Sequence, residues 1–357
     1  MFTTSPWRPA LVGVFLCCLA APVRADEIDF LPNNCIVLYS VDMAGFVKSK
    51  LYQQANAKIK GFEEEMQRSL KEELGFPSTN VSRVTAGFAM PGAGKRHEEF
   101  VIIVSTAKPV AAADIKANRK VRSYQKNFSY KEIKVGEHTI YQESYSFDFK
   151  SPLTTGRAFC VADKNIILFG DGAESLQQIL ERDKKTNKLS PNLQAGLKTV
   201  GKDSMLTVVM DVTKFPERER KEMIRELGGK LPALENLFDG MQTFTLKGTA
   251  DDKVKLVATM TCKDAATATD VRKLADGGIV LIKGELKREM DREFTTPEEK
   301  EMMKTISKAF DEIKLSTQGA QVNGELTVEP ATAISVLEGI FRPTRVEKNF
   351  KDIPEDK

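Results

Sequence analysis

The chain is poor in the side chains that most often do chemistry at neutral pH. Its 357 residues hold two histidines and five cysteines. His97 and His138 sit in the polar, hairpin-like stretches GKRHEEF and VGEHTIY, without the partner spacing of a metal site. Acid–base work also needs a positioned partner, so both read as turn or strand positions. Cys17 and Cys18 fall near the N-terminus, while Cys35, Cys160 and Cys262 lie in separate apolar, strand-like contexts with no Cys-x-x-Cys pair. That pattern argues against metal. It leaves two thiol arrangements: one disulfide and a spare thiol, with Cys35–Cys160 the preferred pair because both fall in the first half, or three buried free thiols.

A dominant charge is also missing. Lys and Arg number 53 against 50 Asp and Glu, and the signs are interspersed, as in ERERKEMIREL and KGELKREMDREF, which is the pattern of solvated helix faces. A nucleic-acid partner, which asks for segregated basic charge, is not expected.

Nor is there a membrane-spanning run at the start. The apolar stretch from Ala10 to Val23 is shorter than the roughly 20 residues needed to cross a bilayer, and Pro22 interrupts it. With Arg8 before it and Val-Arg-Ala ahead of Asp26, it reads as a secretory signal peptide over 1–25, cut after Ala25. A lipoprotein anchor on Cys17 or Cys18 is disfavoured, because Leu16 and Cys17 precede them where a small residue is wanted. Losing Arg8 and Arg24 leaves 51 basic against 50 acidic residues, a formal charge of +1. The expected product is exported, periplasmic or extracellular, with no stable transmembrane segment in the mature chain.

Nucleotide and hydrolase motifs are absent as well. PGAGKRH, Pro91 to His97, misses the phosphate-loop pattern twice, with Ala89 in place of the first Gly and Arg96 in place of Ser or Thr. It also joins two strands where such a loop should open a helix. Gly170-Asp171-Gly172, between a strand and a helix in FCVADKNIILFGDGAESLQQILER, reads as turn geometry, with phosphate binding as the minor alternative. No G-x-S-x-G elbow or calcium loop is found. Sequence therefore names no catalytic, cofactor-binding or metal residue, and no cofactor.

What is present is one plan written twice. NNCIVLYSVDMAGFVKS from Asn33 and KDSMLTVVMDVTKFPER from Lys202 each give an apolar strand, an Asp and a Phe entering a helical pattern. Asp42 and Asp211 occupy matching places and read as helix caps rather than catalytic acids. Two strands follow in each half, NVSRVTAGFAMP with EEFVIIVSTAKP and MQTFTLKGTADD with KVKLVATMTCKD, each pair a hairpin. An Ala-rich helix comes next, VAAADIKAN or AATATDVRKLA, then a hairpin and a helix. In the second half Asn323-Gly324 marks the expected hairpin turn. The fold class is α+β: two similar domains from an internal duplication, each a mainly antiparallel sheet with helices packed on one face. The boundaries are 26–185 and 202–342, with a linker at 186–201 and a flexible tail at 343–357.

Two helical regions differ between the halves. Apolar residues at 51, 55, 59, 62, 66 and 70 make one stripe on a helix, read as core packing with a partner or lipid surface as the alternative. The second half carries a long insertion, GGIVLIKGELKREMDREFTTPEEKEMMKTISKAFDEI, in which Thr295, Thr296 and Pro297 mark a fresh helix start.

The order of FLPNNCIVLYSVDMAGFVKS, FVIIVSTAKPVAAADI, HTIYQ and FCVADKNIILFGDGAESLQQIL resembles an uncharacterised family of bacterial secreted proteins with a duplicated α/β domain. The resemblance covers most of the first half and, more loosely, the second. It implies export and duplication and supplies no catalytic residues. The favoured function is an exported, non-enzymatic binding or scaffold protein of the cell envelope, whose partner is an envelope protein or a small hydrophobic ligand. The alternatives are an envelope carrier of a hydrophobic ligand and a carboxylate-based hydrolase.

Overall fold

In the computed structural model the described residues are 25–89, 99–119, 121, 125–148, 151–182, 189–200, 204–217, 220–221, 238–292 and 295–341. The expected signal segment before Ala25, the Pro91–His97 loop, residues 186–188 and 201 of the expected linker, and the expected tail at 343–357 lie outside them.

The elements run α1 (Ala25–Ile28), β1 (Cys35–Val41), α2 (Met43–Lys48), α3 (Lys50–Lys58), α4 (Phe62–Leu74), β2 (Val81–Ala89), β3 (Glu99–Thr106), α5 (Ala112–Asn118), β4 (Lys126–Val135), β5 (His138–Ser146), β6 (Thr154–Asp163), β7 (Ile166–Gly170), α6 (Ala173–Glu181), α7 (Pro191–Val200), β8 (Leu206–Asp211), β9 (Met241–Ala250), β10 (Val254–Cys262), α8 (Ala265–Met290), α9 (Pro297–Asp311), β11 (Lys314–Gln318), β12 (Gln321–Val328) and α10 (Pro330–Phe341). The strands form a single 12-stranded sheet in the order β11-β12-β10-β9-β8-β1-β2-β3-β7-β6-β5-β4. Every pairing is antiparallel. The α+β class holds, with a difference: both halves share this sheet, joined where β1 lies beside β8.

Helices cover both faces rather than one. Along β3 and β7 the side chains alternate, as a strand's pleat requires. Val101, Ile103 and Leu168 pack with Leu176 of α6 and Leu193 of α7, while Val104, Ile167 and Phe169 pack with Leu74 of α4 and Ile115 of α5. Strands buried on both sides need apolar residues at consecutive positions, which IILFG supplies with all five residues buried. Following the ladder into the second half, α8 covers the α4–α5 face through Ala268 and Val271 against Val322 and Met260.

The stripe from Leu51 to Leu70 is core, but not on one helix. α3 ends at Lys58 and α4 starts at Phe62, with Gly61 at φ 75° between them. Leu51, Ala55, Ile59 and Phe62 are all buried, in one cluster with Ala333 and Leu337 of α10. A change of helix direction keeps the same residues inside, which is why the spacing alone did not reveal the break. The β11–β12 turn also falls elsewhere than expected. It is Gly319-Ala320, with Gly319 at φ 56°, whereas Asn323 and Gly324 sit mid-strand opposite Thr259 and Ala258. Thr296 caps α9 as the sequence indicates: its hydroxyl accepts from Glu299 N–H and the Glu299 carboxylate accepts from Thr296 N–H.

Candidate functional site

The residues singled out by sequence are placed far apart, and most have structural work. Asp42 accepts from the Gly45 N–H at 3.0 Å and caps α2. Asp211 is buried and accepts from Ser190 Oγ at 2.5 Å, Asn192 Nδ2 at 3.0 Å, and Thr213 N–H and Oγ1 at 3.1 and 2.6 Å. These bonds tie the end of β8 to the start of α7, where Ser190 in turn accepts from Leu193 N–H. Capping is thus the observed role of both.

At Gly170-Asp171-Gly172 the helix N-terminus is already occupied. The Ala173 N–H donates to Gln142 Oε1 at 2.5 Å, so that donor does not face an open site. Gly172 is extended at φ −168°. At Gly170 the reason for glycine is close approach, since a Cβ would lie 2.8 Å from Ser175 Oγ and 3.1 Å from Leu176.

His138 opens β5 opposite Val135 in a hairpin, and His97 lies outside the described residues. Among the described residues no three of His, Cys, Asp and Glu come together in a way that could hold a metal ion.

The three cysteines are free and buried. Cys35 on β1 and Cys160 on β6 are separated by β2, β3 and β7. Four inter-strand steps amount to roughly 19 Å, against a Cα separation of under about 7 Å for a disulfide. The preferred pairing is therefore overturned in favour of free thiols. Burial lifts both thiols from an ordinary 9.0 to about 12, and burial, then Asp264, raises Cys262. Thiol reagents are expected to label none of the three in the native protein and all three in urea, counted by mass. The unfolded chain ionises these thiols first. Their contribution to stability is therefore complete below about pH 9 and lost as pH rises towards 12, a fall that urea titrations at stepped pH would read.

Sequence reasoning missed two buried ionic clusters, because each is assembled from distant segments. Glu27 of α1 is fully buried. Its carboxylate accepts from Thr85 Oγ1 at 2.8 Å and Ser105 Oγ at 2.6 Å, and Arg83 Nη1 lies 4.0 Å away. On the opposite face Arg119 Nη1 meets Glu143 Oε1 at 2.7 Å. This pair borders an aromatic group in which Phe159 touches Tyr130, Tyr141 and Phe169. Burial raises the Tyr130 phenol, with Glu143 raising and Arg119 lowering it. Buried carboxylates invite a hydrolase reading, but Glu27, Glu143 and Asp211 stand in three separate places, each engaged by its own donors.

An open groove lies elsewhere, on the hairpin of α8 and α9. It has a volume of about 590 Å³ and is lined by Lys283, Gly284, Lys287, Met290, Asp291, Lys300, Lys304 and Ser307. Lys283 pairs with Asp311, and Lys304 with Glu301 at 3.3 Å. Beyond Val271 no described side chain of α8 or α9 is fully buried. Val280 is 68 % exposed, with Leu281 and Ile282 beside it at 38 % each. No described helix is long and apolar enough to cross a membrane.

No protein-family model matches the chain, and comparisons with curated proteins and with solved structures return no match.

Proposed function

We propose that the chain is an exported, non-enzymatic binding or scaffold protein of the cell envelope, built from two copies of one α+β unit. The observation that carries the non-enzymatic reading is the use of the polar interior. Glu27, Glu143 and Asp211 are committed to holding helices and strands, while the open charged groove lies on a surface hairpin. Export rests on the signal pattern of residues 1–25 and on the resemblance to secreted proteins.

Duplication is supported by the central register. The pairs Val37–Met210, Leu38–Val209, Tyr39–Val208, Ser40–Thr207 and Val41–Leu206 are symmetric about Tyr39 and Val208 once Asp42 is matched to Asp211. Self-complementary pairing of this kind is what a two-fold interface between copies produces. Moving outward, β1, β2, β3, β7 and β6 mirror β8, β9, β10, β12 and β11. The first half then adds the β4–β5 hairpin and the second adds the α8–α9 hairpin, so the groove belongs to the element that sets the copies apart.

Expression of the full chain in a bacterial host, followed by fractionation and intact-mass measurement, tests export. The expected result is a chain starting at Asp26 in the periplasm or medium. Uncut chain retained in the cytoplasm would contradict it.

A further inference from the structure

α9 packs against both α8 and α10, and the groove opens along α8 and α9. An amphipathic helix buries its apolar stripe against neighbours, and α9 carries Met302, Met303, Ile306 and Phe310 on such a pattern, all only half-buried. On α8, Val280, Gly284, Lys287 and Asp291 follow at steps of four, three and four, so the most exposed large apolar residue shares a stripe with the groove. Gly284 leaves open space over the helix backbone.

The groove's charge is arranged in register. Lys287 and Lys300 lie towards the α8–α9 turn, and Lys283 and Lys304 one turn farther from it. Four residues of helix advance about 6 Å. Lys283 and Lys304 have carboxylate partners, whereas Lys287 and Lys300 pair with none among the described residues. Within the groove one carboxylate, Asp291, faces four ammonium groups.

From this we infer that the groove docks an acidic amphipathic helix of a partner protein. Two carboxylates at i and i+4 are also about 6 Å apart, so they match the two lysine levels, and flanking apolar residues of the same helix would cover Val280 and Met290. This is recognition of a helix in a groove, with charge setting the register. Val280, Leu281 and Ile282 are all exposed, but successive residues point about 100° apart round the helix, so a flat membrane would meet too little apolar surface on one face for an interfacial helix. The inference rests on the non-enzymatic binding reading and names the partner's chemistry.

The test uses the full mature chain and a synthetic capped peptide of about 18 residues, long enough to hold helix, with Leu on one stripe and Glu at i, i+4, and its Gln counterpart. Fluorescence anisotropy is expected to show saturable binding of the Glu peptide, weakened about tenfold or more by K287E/K300E and by added salt, with little binding of the Gln peptide. V280S, which removes the apolar contact without adding charge, is expected to weaken binding without altering the salt dependence, and circular dichroism confirms that each variant folds. Equal binding of both peptides, or unchanged binding by K287E/K300E, overturns the inference. So does absence of peptide binding, whether the groove instead retains phosphatidylglycerol vesicles or closes a dimer seen by light scattering. Export failure or a hydrolytic activity would sink the broader reading while leaving the peptide result intact.

Discussion

Replacing Glu27 by Ala is expected to lower the unfolding free energy by about 3–5 kcal/mol, the loss typical of removing one partner from a buried ion pair. The carboxylate is fully buried and receives the Thr85 and Ser105 hydroxyls. Without it Arg83, itself 9 % exposed, keeps its charge under the sheet with no other carboxylate partner among the described residues. Glu27 lies two residues beyond the expected cleavage site, so this side chain, together with Ile28, Phe30 and Leu31 in the core beside it, would hold the mature N-terminus against the sheet. E27Q keeps an acceptor for one hydroxyl and is expected to lose less. Urea denaturation of both variants reads the difference, and a loss under about 1 kcal/mol for E27A would contradict this account of the cluster.

The Arg119–Glu143 pair is expected to behave non-additively. R119M leaves a buried carboxylate and E143L a buried guanidinium, each costing about 3–5 kcal/mol, whereas the double variant should recover most of either loss, because buried pairs exchanged for apolar residues are often neutral. A double-mutant cycle isolates that coupling. Tyr130 supplies an independent readout. Arg119 lowers its phenol while burial and Glu143 raise it, so R119M should shift the Tyr130 titration higher still, visible in alkaline absorbance spectra. Additive losses with an unmoved phenol would show that the two charges do not interact.

Much of the fold was legible because its signals are local. The strands IILFG and VSRVTAGFA, the Thr296 cap and the Asp42 and Asp211 caps all follow from residues within a few positions of one another. What escaped depends on contacts between distant segments. A Gly-containing dipeptide signals a turn only if the partner strand agrees, and Asn323-Gly324 is overruled by pairing with β10. Helices on both faces were foreshadowed by continuous apolar runs such as IILFG, but the expectation of one covered face came from the order of strands, hairpins and helices, which does not say on which side of the sheet each helix packs. The joining of β1 to β8 left no local trace, since any apolar strand can be a sheet edge or a centre. For the site, the insertion was visible as a long charged helical stretch. Its lysine levels become a groove only when α9 folds back along α8.

The most direct measurement is native mass spectrometry of the protein purified without detergent from the envelope fraction of its host. A non-enzymatic binding protein with a docking hairpin predicts the mass of the chain from Asp26, free of lipid-sized adducts, together with a species carrying one protein partner that disappears in K287E/K300E. A lipid-sized adduct retained by both wild type and variant would contradict it and favour a carrier of hydrophobic ligands.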